Sequence, residues 1–260
     1  FGLLLGGVFV GSLFWLVELF VLFVTALVVF AVLELAGALT EKGRLRSRWP
    51  LVVVSAVMVP VAAFYGPEGQ LWSLVGAIVL AVVIRAGRAL LQVDSRPTTL
   101  ADIGVAVMVL AYIPFLAGFA VAVATSPGGV LWLFSGVVIV VCVDVAAYAT
   151  GLSVGRTPLA PKISPKKTWE GFAGSLLAAL LAGVLLGMFL LGLAWWQGII
   201  VGALLVGSAT LGDLIESLIK RDLGIKDISS WLPGHGGFLD RLDSMLPSMA
   251  MLYVLFQIFG

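Results

Sequence analysis

Charged residues are scarce in this chain of 260 residues, where they make up only 11% of the sequence. A soluble domain carries roughly 25% charged residues. Hydrophobic residues account for 61%, and a chain with this balance cannot cover a water-facing surface of its own size. A water-soluble globular domain is therefore excluded, and the composition predicts a protein whose main solvent is lipid.

Cysteine and histidine are almost absent, with one residue of each, Cys142 and His235. A single cysteine excludes a disulfide framework and a cysteine-rich metal site. Cys142 lies inside an apolar run and is expected to be a small core residue. The net charge of +1 gives the chain no overall basic field, so no nucleic acid is expected as a partner.

Long apolar runs are what the sequence has in abundance. A bilayer core of ~30 Å requires about 20 mostly apolar helical residues. The sequence predicts an all-α, polytopic integral membrane protein with about nine transmembrane helices, at 2–17, 19–38, 51–66, 70–86, 101–118, 130–150, 171–193, 196–219 and 242–259. Only Glu18 separates the first two runs, so eight spans result if they form one helix. That helix would be ~55 Å long, which favours nine.

The basic residues are distributed unevenly between the loops. All 15 lysines and arginines lie at the end of, or after, the second, fourth, sixth and eighth predicted spans, and the alternate loops have none. By the positive-inside rule the charged loops are cytoplasmic. Four tryptophans mark predicted span ends on the other side, as an aromatic belt would: Trp72, Trp132, Trp195 and Trp196. A small chain without organelle targeting favours the bacterial inner (plasma) membrane.

The candidate chemistry lies in the second half of the chain. We predict N-terminal transmembrane helices over 1–118 and a C-terminal catalytic region over 119–260, with long cytoplasmic loops at 151–170 and 220–241. Within this region the pair Gly183-x3-Gly187 could pack helices within the chain or between two copies, which leaves a homodimer open.

The loop 220–241 combines cations with a glycine-rich turn. Lys220, Arg221 and Lys226 precede the sequence Pro-Gly-His-Gly-Gly at 233–237, in which backbone N–H groups can approach an anion closely. His235 suits a phosphate-facing donor or an acid/base role, although a lone histidine is often merely packed.

Two pairs of carboxylates flank that loop at the same i, i+3 spacing. Asp213 and Glu216 end one apolar span, and Asp240 and Asp243 open the next, where they are expected to share one helix face. Such carboxylates near cations suit a hard divalent ion with phosphates. The alternative is solvated charges and capping acids, which fits Asp243 equally well. It fits Asp213 and Glu216 less well, because an acid inside an apolar span is costly.

The loop 151–170 offers a second set of cations. A clamp for a triphosphate or a lipid headgroup can be built from Lys162, Ser164, Lys166 and Lys167. The alternative is an ordinary cytoplasmic loop that contacts anionic lipid. Asp144 is a further acid at membrane depth, whereas Glu18 and Glu34 are assigned mainly structural roles.

Residues 217–243 resemble the signature of the phosphatidate cytidylyltransferase (CDP-diacylglycerol synthase) family. The pattern is Ser-x-apolar-Lys-Arg-x4-Lys-Asp, a small residue and a Pro, then His-Gly-Gly-x-x-Asp-Arg-x-Asp. The segment 162–171 and the pair Asp144-x3-Tyr148 also resemble that family. The resemblance is sharp over 144–243. Before that it is a matching hydropathy pattern, with Glu34 near the end of the second span.

The resemblance implies a Mg²⁺-dependent condensation of CTP with phosphatidate to CDP-diacylglycerol and pyrophosphate, at the cytoplasmic edge of the membrane. CTP, phosphatidate and membrane lipid are then the partners, and a second cation is left open.

The resemblance also implies roles for individual residues. Asp213 and Asp240 are the first metal candidates, followed by Asp243, Asp144 and Glu216. The groups expected to hold phosphates are Lys220, Arg221, Lys226 and Arg241. Those expected to close over the nucleotide or headgroup are Lys162, Ser164, Lys166 and Lys167, with Asp144 in the substrate site and His235, Gly236 and Gly237 shaping the phosphate pocket.

Other functions weigh less. A polyprenol kinase is a related alternative, and a CDP-alcohol phosphotransferase would need an Asp-Gly-x2-Ala-Arg motif, which is absent. A secondary transporter could use Asp144, Asp213 and Glu216 as an ion path, but transporters place such groups near the bilayer midplane. Here the acids adjoin basic loops at one face, which favours an enzyme at the membrane surface.

Overall fold

The computed structural model describes residues 2–91, 100–229, 231 and 236–260. The regular secondary structure of these residues is helical apart from one short hairpin. The helices are α1 Gly2–Trp15, α2 Val17–Glu41, α3 Trp49–Leu90, α4 Leu100–Leu110, α5 Leu116–Ala124, α6 Gly129–Val154, α7 Trp169–Leu190, α8 Trp195–Leu223 and α9 Met245–Phe259. A π-helical turn, Ala111–Phe115, joins α4 to α5, and a 3₁₀ turn, Leu239–Arg241, precedes α9. The strands are β1 Pro158–Ala160 and β2 Ser164–Thr168.

Six helical stretches of the described chain are long and apolar enough to cross a membrane. They are Val17–Glu41, Trp49–Arg88, Leu100–Ala124, Gly129–Val154, Trp169–Leu190 and Trp195–Leu223. The apolar helix at Met245–Phe259 is shorter. This pattern agrees with a helical integral membrane protein. The count of nine spans and the cytoplasmic side of the charged loops stay predictions.

The helix α3 is interrupted at Gly66, between the predicted spans 51–66 and 70–86. Gly66 has φ 62° and ψ −156°, values far from those of a helix. A positive φ suits glycine because it has no Cβ. Pro67 follows and contributes no N–H to the preceding turn. The 42 residues of α3 therefore form two helical arms rather than one straight rod.

The first compact unit comprises Phe1–Ala122 and Asp227–Asp240. Within it, a buried ion pair joins α3 to α4, because Arg85 Nε donates to Asp102 Oδ2 at 2.6 Å. The backbone N–H of Arg46 donates to the other oxygen of Asp102 at 2.8 Å. One carboxylate thus ties two helices to the loop that follows α2.

The second compact unit comprises Val123–Lys226 and Arg241–Gly260. Its helices α7 and α8 approach closely at glycines, since a Cβ on Gly183 or on Gly198 would fall on the other residue's carbonyl oxygen. Gly187 also faces Gly198. The Gly183-x3-Gly187 pair therefore packs two helices of the same chain, and a homodimer stays a prediction without support from this motif.

One aromatic expectation is wrong. Trp132 is only 5% exposed and meets the ring of Phe256 edge-on, with centroids 5.8 Å apart. It belongs to the packing of α6 against α9 and not to an aromatic belt at the lipid surface. A tryptophan at the end of an apolar run has the same sequence signature in either place.

The ends of the predicted spans differ from the helices around the loop 220–241. The helix α8 extends to Leu223, so Lys220 and Arg221 lie in its last turn, where cations are favoured. The helix α9 begins only at Met245, two residues before Pro247, a residue tolerated in a first helical turn. The expectation that Asp240 and Asp243 share one face of the last helix is wrong, because both precede that helix.

Candidate active site

An acidic cluster lies on the C-terminal half of α8 in the second unit. Asp213 and Glu216 are one helical turn apart on α8, and Asp243 joins them from the turn before α9. One ligand atom of each carboxylate lies within 4.8 Å of the other two. Three oxygen donors at this separation suit a hard divalent cation. These residues could hold a metal ion.

Gly212 allows this convergence. A Cβ on Gly212 would fall on the carbonyl oxygen of Asp243 and lie 3.0 Å from Cδ of Pro247. The backbone of Asp243 therefore rests directly on α8, one residue before Asp213. The close contact explains how residues 30 positions apart in the sequence come to share one site.

Two lysines pair with the cluster. Lys220 Nζ lies 2.6 Å from Oε2 of Glu216, which is buried with 2% exposure. Lys167, from β2, forms an ion pair with Asp213. The predicted cations Lys167 and Lys220 and the predicted acids Asp213 and Asp243 are thus brought together.

The surroundings of Asp243 disfavour its charged form, as its pKa indicates. Burial, followed by the neighbouring carboxylate of Asp213, raises the pKa of Asp243 to about 7. A charged carboxylate in this position is therefore disfavoured unless a positive charge compensates it. The cluster is suited to bind a cation, which would stabilise all three acids in their charged forms.

Ser244 connects this cluster to Asp144. Its N–H donates to Asp243 Oδ1 at 2.7 Å, and its hydroxyl donates to Asp144 Oδ2 at 3.0 Å. Asp144, predicted to lie in the substrate site, is therefore adjacent to the acidic cluster. Sequence reasoning did not single out Ser244, because a serine between an aspartate and an apolar helix is commonplace.

The loop 151–170 forms the β1–β2 hairpin, with Pro158 opposite Thr168 and Ala160 opposite Ser164. Thr168 caps α7 by accepting the N–H of Gly171 at 3.1 Å. Glu170 closes the base of the hairpin, since its carboxylate accepts the N–H groups of Arg156 and Thr157, each at 3.1 Å. Glu170 is thus a structural member of the motif that sequence reasoning passed over.

The hairpin presents its cations at the end of α8. Lys162 and Lys166 are exposed, and Ser164 is half-buried. Arg221 donates from Nε to the carbonyl oxygen of Ile163 at 3.1 Å, which holds the hairpin tip to the last turn of α8. Lys226 and Arg241 are exposed in the same unit.

Of the remaining predicted residues, Gly236, Gly237 and Asp240 are described and lie in the first unit. Gly236 has φ 77°, and the N–H of Gly237 donates to Asp240 Oδ2 at 2.6 Å. His235 lies outside the described residues. Asp240 belongs to the first unit, whereas the acidic cluster belongs to the second. Its role as a metal ligand therefore stays a prediction.

The sequence model of the cytidylyltransferase family matches residues 1–259. The chain belongs to the cytidylyltransferase family. This membership confirms the resemblance seen in residues 217–243, and it extends the similarity through the N-terminal helices, where the motifs are absent.

Curated relatives of this chain carry the same name as the family suggested by the motifs. A phosphatidate cytidylyltransferase of Mycobacterium bovis is 36% identical over 97% of this chain and 85% of its own length. One of Mycobacterium leprae is 35% identical over 98% of this chain and 85% of its own. One of Brucella suis is 41% identical over 117 residues, which are 45% of this chain and 43% of that protein.

Proposed function

We propose that the protein transfers a cytidylyl group from CTP to phosphatidate, giving CDP-diacylglycerol and pyrophosphate. The observation that carries this proposal is the acidic cluster of Asp213, Glu216 and Asp243 beside Lys167 and Lys220. In a chain of the cytidylyltransferase family, carboxylates and ammonium groups at one point suit a reaction between phosphates.

In this reaction a phosphate oxygen of phosphatidate attacks the α-phosphorus of CTP. The bond from that phosphorus to the oxygen bridging it to the β-phosphorus breaks, and pyrophosphate leaves. Phosphatidate is already ionised at neutral pH, so no strong general base is needed. The main requirements are neutralisation of charge and alignment of two anions.

We infer Mg²⁺ as the cofactor, held by Asp213 and Asp243, with Glu216 and Asp240 as further candidate ligands. Oxygen donors alone are what Mg²⁺ prefers. When bound, it would neutralise phosphate charge and polarise phosphoryl oxygens. A second cation is left open.

The basic groups bind phosphates in this proposal. Lys167 and Lys220 now pair with carboxylates, so they turn to phosphate oxygens only when those carboxylates have another partner. Arg221, Lys226 and Arg241 hold further phosphates, and Lys162, Ser164 and Lys166 close over the nucleotide or the headgroup. Asp144 orients substrate, and His235, Gly236 and Gly237 shape the phosphate pocket.

The site would face the cytoplasm at a bacterial inner membrane, where CTP and membrane-held phosphatidate meet.

The test is CTP- and Mg²⁺-dependent formation of CDP-diacylglycerol from labelled phosphatidate by purified protein in detergent. We expect Asp213→Asn to lower turnover about a hundredfold or more, because charge neutralisation is the main catalytic requirement. The matched control is Asp222→Asn, an exposed acid at the end of the same helix, which should keep turnover. No product from folded wild-type protein, or full activity of Asp213→Asn, would contradict the proposal.

A further inference from the structure

Glu34 of α2 is a buried acid whose carboxylate contacts the part of the family signature that belongs to the first unit, Asp227–Asp240, here called the signature loop. Only 3% of the surface of Glu34 is exposed. Oε2 accepts the N–H of Leu239 at 3.0 Å, and Oε1 accepts the hydroxyl of Ser229. These partners lie 205 and 195 positions further along the chain, and all three residues belong to the first unit.

Aromatic contacts also join α2 to this loop. Phe30, one helical turn before Glu34, stacks on Phe238 with ring centroids 4.9 Å apart and planes at 15°. It also meets Trp231 edge-on at 6.4 Å. The face of α2 that carries Phe30 and Glu34 therefore holds the loop on both sides of its glycine-rich part.

Gly237 fits this contact because it has no side chain. A Cβ there would lie 2.8 Å and 3.0 Å from the two carboxylate oxygens of Glu34. Its own N–H donates to Asp240. The Gly-Gly pair of the signature is thus constrained from two sides, by Glu34 and by Asp240, in addition to any contact with phosphate.

A buried carboxylate is costly unless it is compensated, and in an apolar helix such a group normally has a specific role. Hydrogen bonds to a charged acceptor are among the stronger ones in proteins. Glu34 directs both of its oxygens to one loop, the loop that carries Gly236, Gly237 and Asp240.

We propose that Glu34 is a positioning residue that holds Ser229 and residues 236–240 of this loop in their working conformation. It acts through the Leu239 N–H and the Ser229 hydroxyl and does not itself contact the reacting atoms. The consequence for turnover rests on the proposed function, whereas the consequence for the loop does not.

The first test is amide hydrogen exchange of the full chain in detergent, comparing wild type with Glu34→Ala. Loss of two charge-assisted hydrogen bonds should speed exchange in peptides covering 236–242 by about 10–100-fold, with peptides of α8 unchanged. Glu41→Ala, an exposed acid at the end of the same helix, should behave as wild type. Unchanged exchange at 236–242 in Glu34→Ala would overturn the proposal.

A second variant covers the case in which Glu34→Ala does not fold. Ser229→Ala removes one donor from the loop and leaves α2 intact, and it should speed exchange at 236–242 several-fold. Wild-type exchange in this variant would overturn the proposal equally.

The second test is rescue of turnover. The amide of Glu34→Gln can accept the Leu239 N–H and donate to the Ser229 oxygen, so kcat should stay within about threefold of wild type, against a loss of tenfold or more in Glu34→Ala. A Gln variant as inactive as the Ala variant, with a protected loop, would show that the charge itself is required and would overturn a positioning role. Inactive wild type would instead refute the proposed function, and the exchange data would still decide the role of Glu34.

Discussion

At the residue scale, Gly212 determines whether Asp243 can reach the acidic cluster. Gly212→Ala would place a methyl group where the Asp243 carbonyl oxygen lies. Such overpacking typically costs about 1–3 kcal/mol, and a displacement of about 1 Å at a catalytic group can cost ~100-fold in rate. We expect turnover to fall well before folding is lost.

The matched control is Gly207→Ala on the same helix, where an added Cβ meets no atom within 4 Å. Turnover should stay at the wild-type level in this control, and the thermal unfolding midpoint should stay equal or rise, because alanine favours a helix more than glycine does. Equal turnover in the Gly212 and Gly207 variants would show that the close contact does not matter for activity.

The proposed catalytic role of Asp240 rests on the sequence motif, because the acidic cluster of Asp213, Glu216 and Asp243 does not include it. Asp240→Asn keeps an oxygen that can accept the Gly237 N–H but removes the charge. We expect turnover to fall about a hundredfold or more with the protein still folded, because a metal ligand or phosphate-site charge is lost. The measurement is CDP-diacylglycerol formation alongside Asp222→Asn, and a fully active Asp240→Asn would remove Asp240 from the mechanism.

At the element scale, the ion pair between Arg85 and Asp102 joins α3 to α4. Both side chains are buried, so Arg85→Met leaves an uncompensated charge and should destabilise the protein by about 3–5 kcal/mol. The double variant Arg85→Met/Asp102→Asn should recover part of that loss, because no unpaired charge remains.

Thermal unfolding in detergent provides the comparison, with Arg88→Met as control. Arg88 lies on the same helix and is exposed, so its replacement should change the midpoint little. Equal midpoints for the Arg85 and Arg88 variants would mean that the buried pair contributes no net stability.

Sequence patterns predicted the helices well where hydropathy alone decides them, and less well where polar segments fold. The break at Gly66 falls between two predicted spans because Gly66-Pro67 interrupts the helix locally. The β1–β2 hairpin was not predicted, since the residues from Pro158 to Thr168 are mostly polar or proline and show no clear alternation of apolar and polar side chains. The late start of α9 also escaped prediction, because Asp240 and Asp243 precede an apolar run that reads as continuous.

At the scale of the whole molecule, sequence patterns pointed to motif residues but not to the residues that support them. Asp213, Asp243, Lys167 and Lys220 were proposed from the family motifs and from charged groups near the ends of apolar runs. The structure brings their side chains to one place, and their roles stay predictions. Glu34 was assigned mainly a structural role, since a lone acid in a helix does not reveal its partner. The chain returns to the first unit at Asp227–Asp240. The predicted division into 1–118 and 119–260 stays a prediction, and a single boundary of that kind has no place for a segment that returns.

Membrane orientation is a testable property of the whole chain. In a Cys142→Ala background, Lys162→Cys should be protected from a membrane-impermeant maleimide in intact spheroplasts and react after permeabilisation, because basic loops stay cytoplasmic. Thr125→Cys, in a predicted loop of the other side, should react without permeabilisation. The opposite pattern would reverse the proposed orientation of the active site.

The contact of Glu34 with Ser229 and Leu239 also limits how this protein can be recombined with its relatives. A chimera that takes its first two helices from one homologue and its signature loop from another would mix two halves of one interface. Phe30 and Glu34 would have to be inherited together with residues 229–239. We therefore expect the N-terminal helices not to behave as an interchangeable membrane anchor, although no signature motif lies within them.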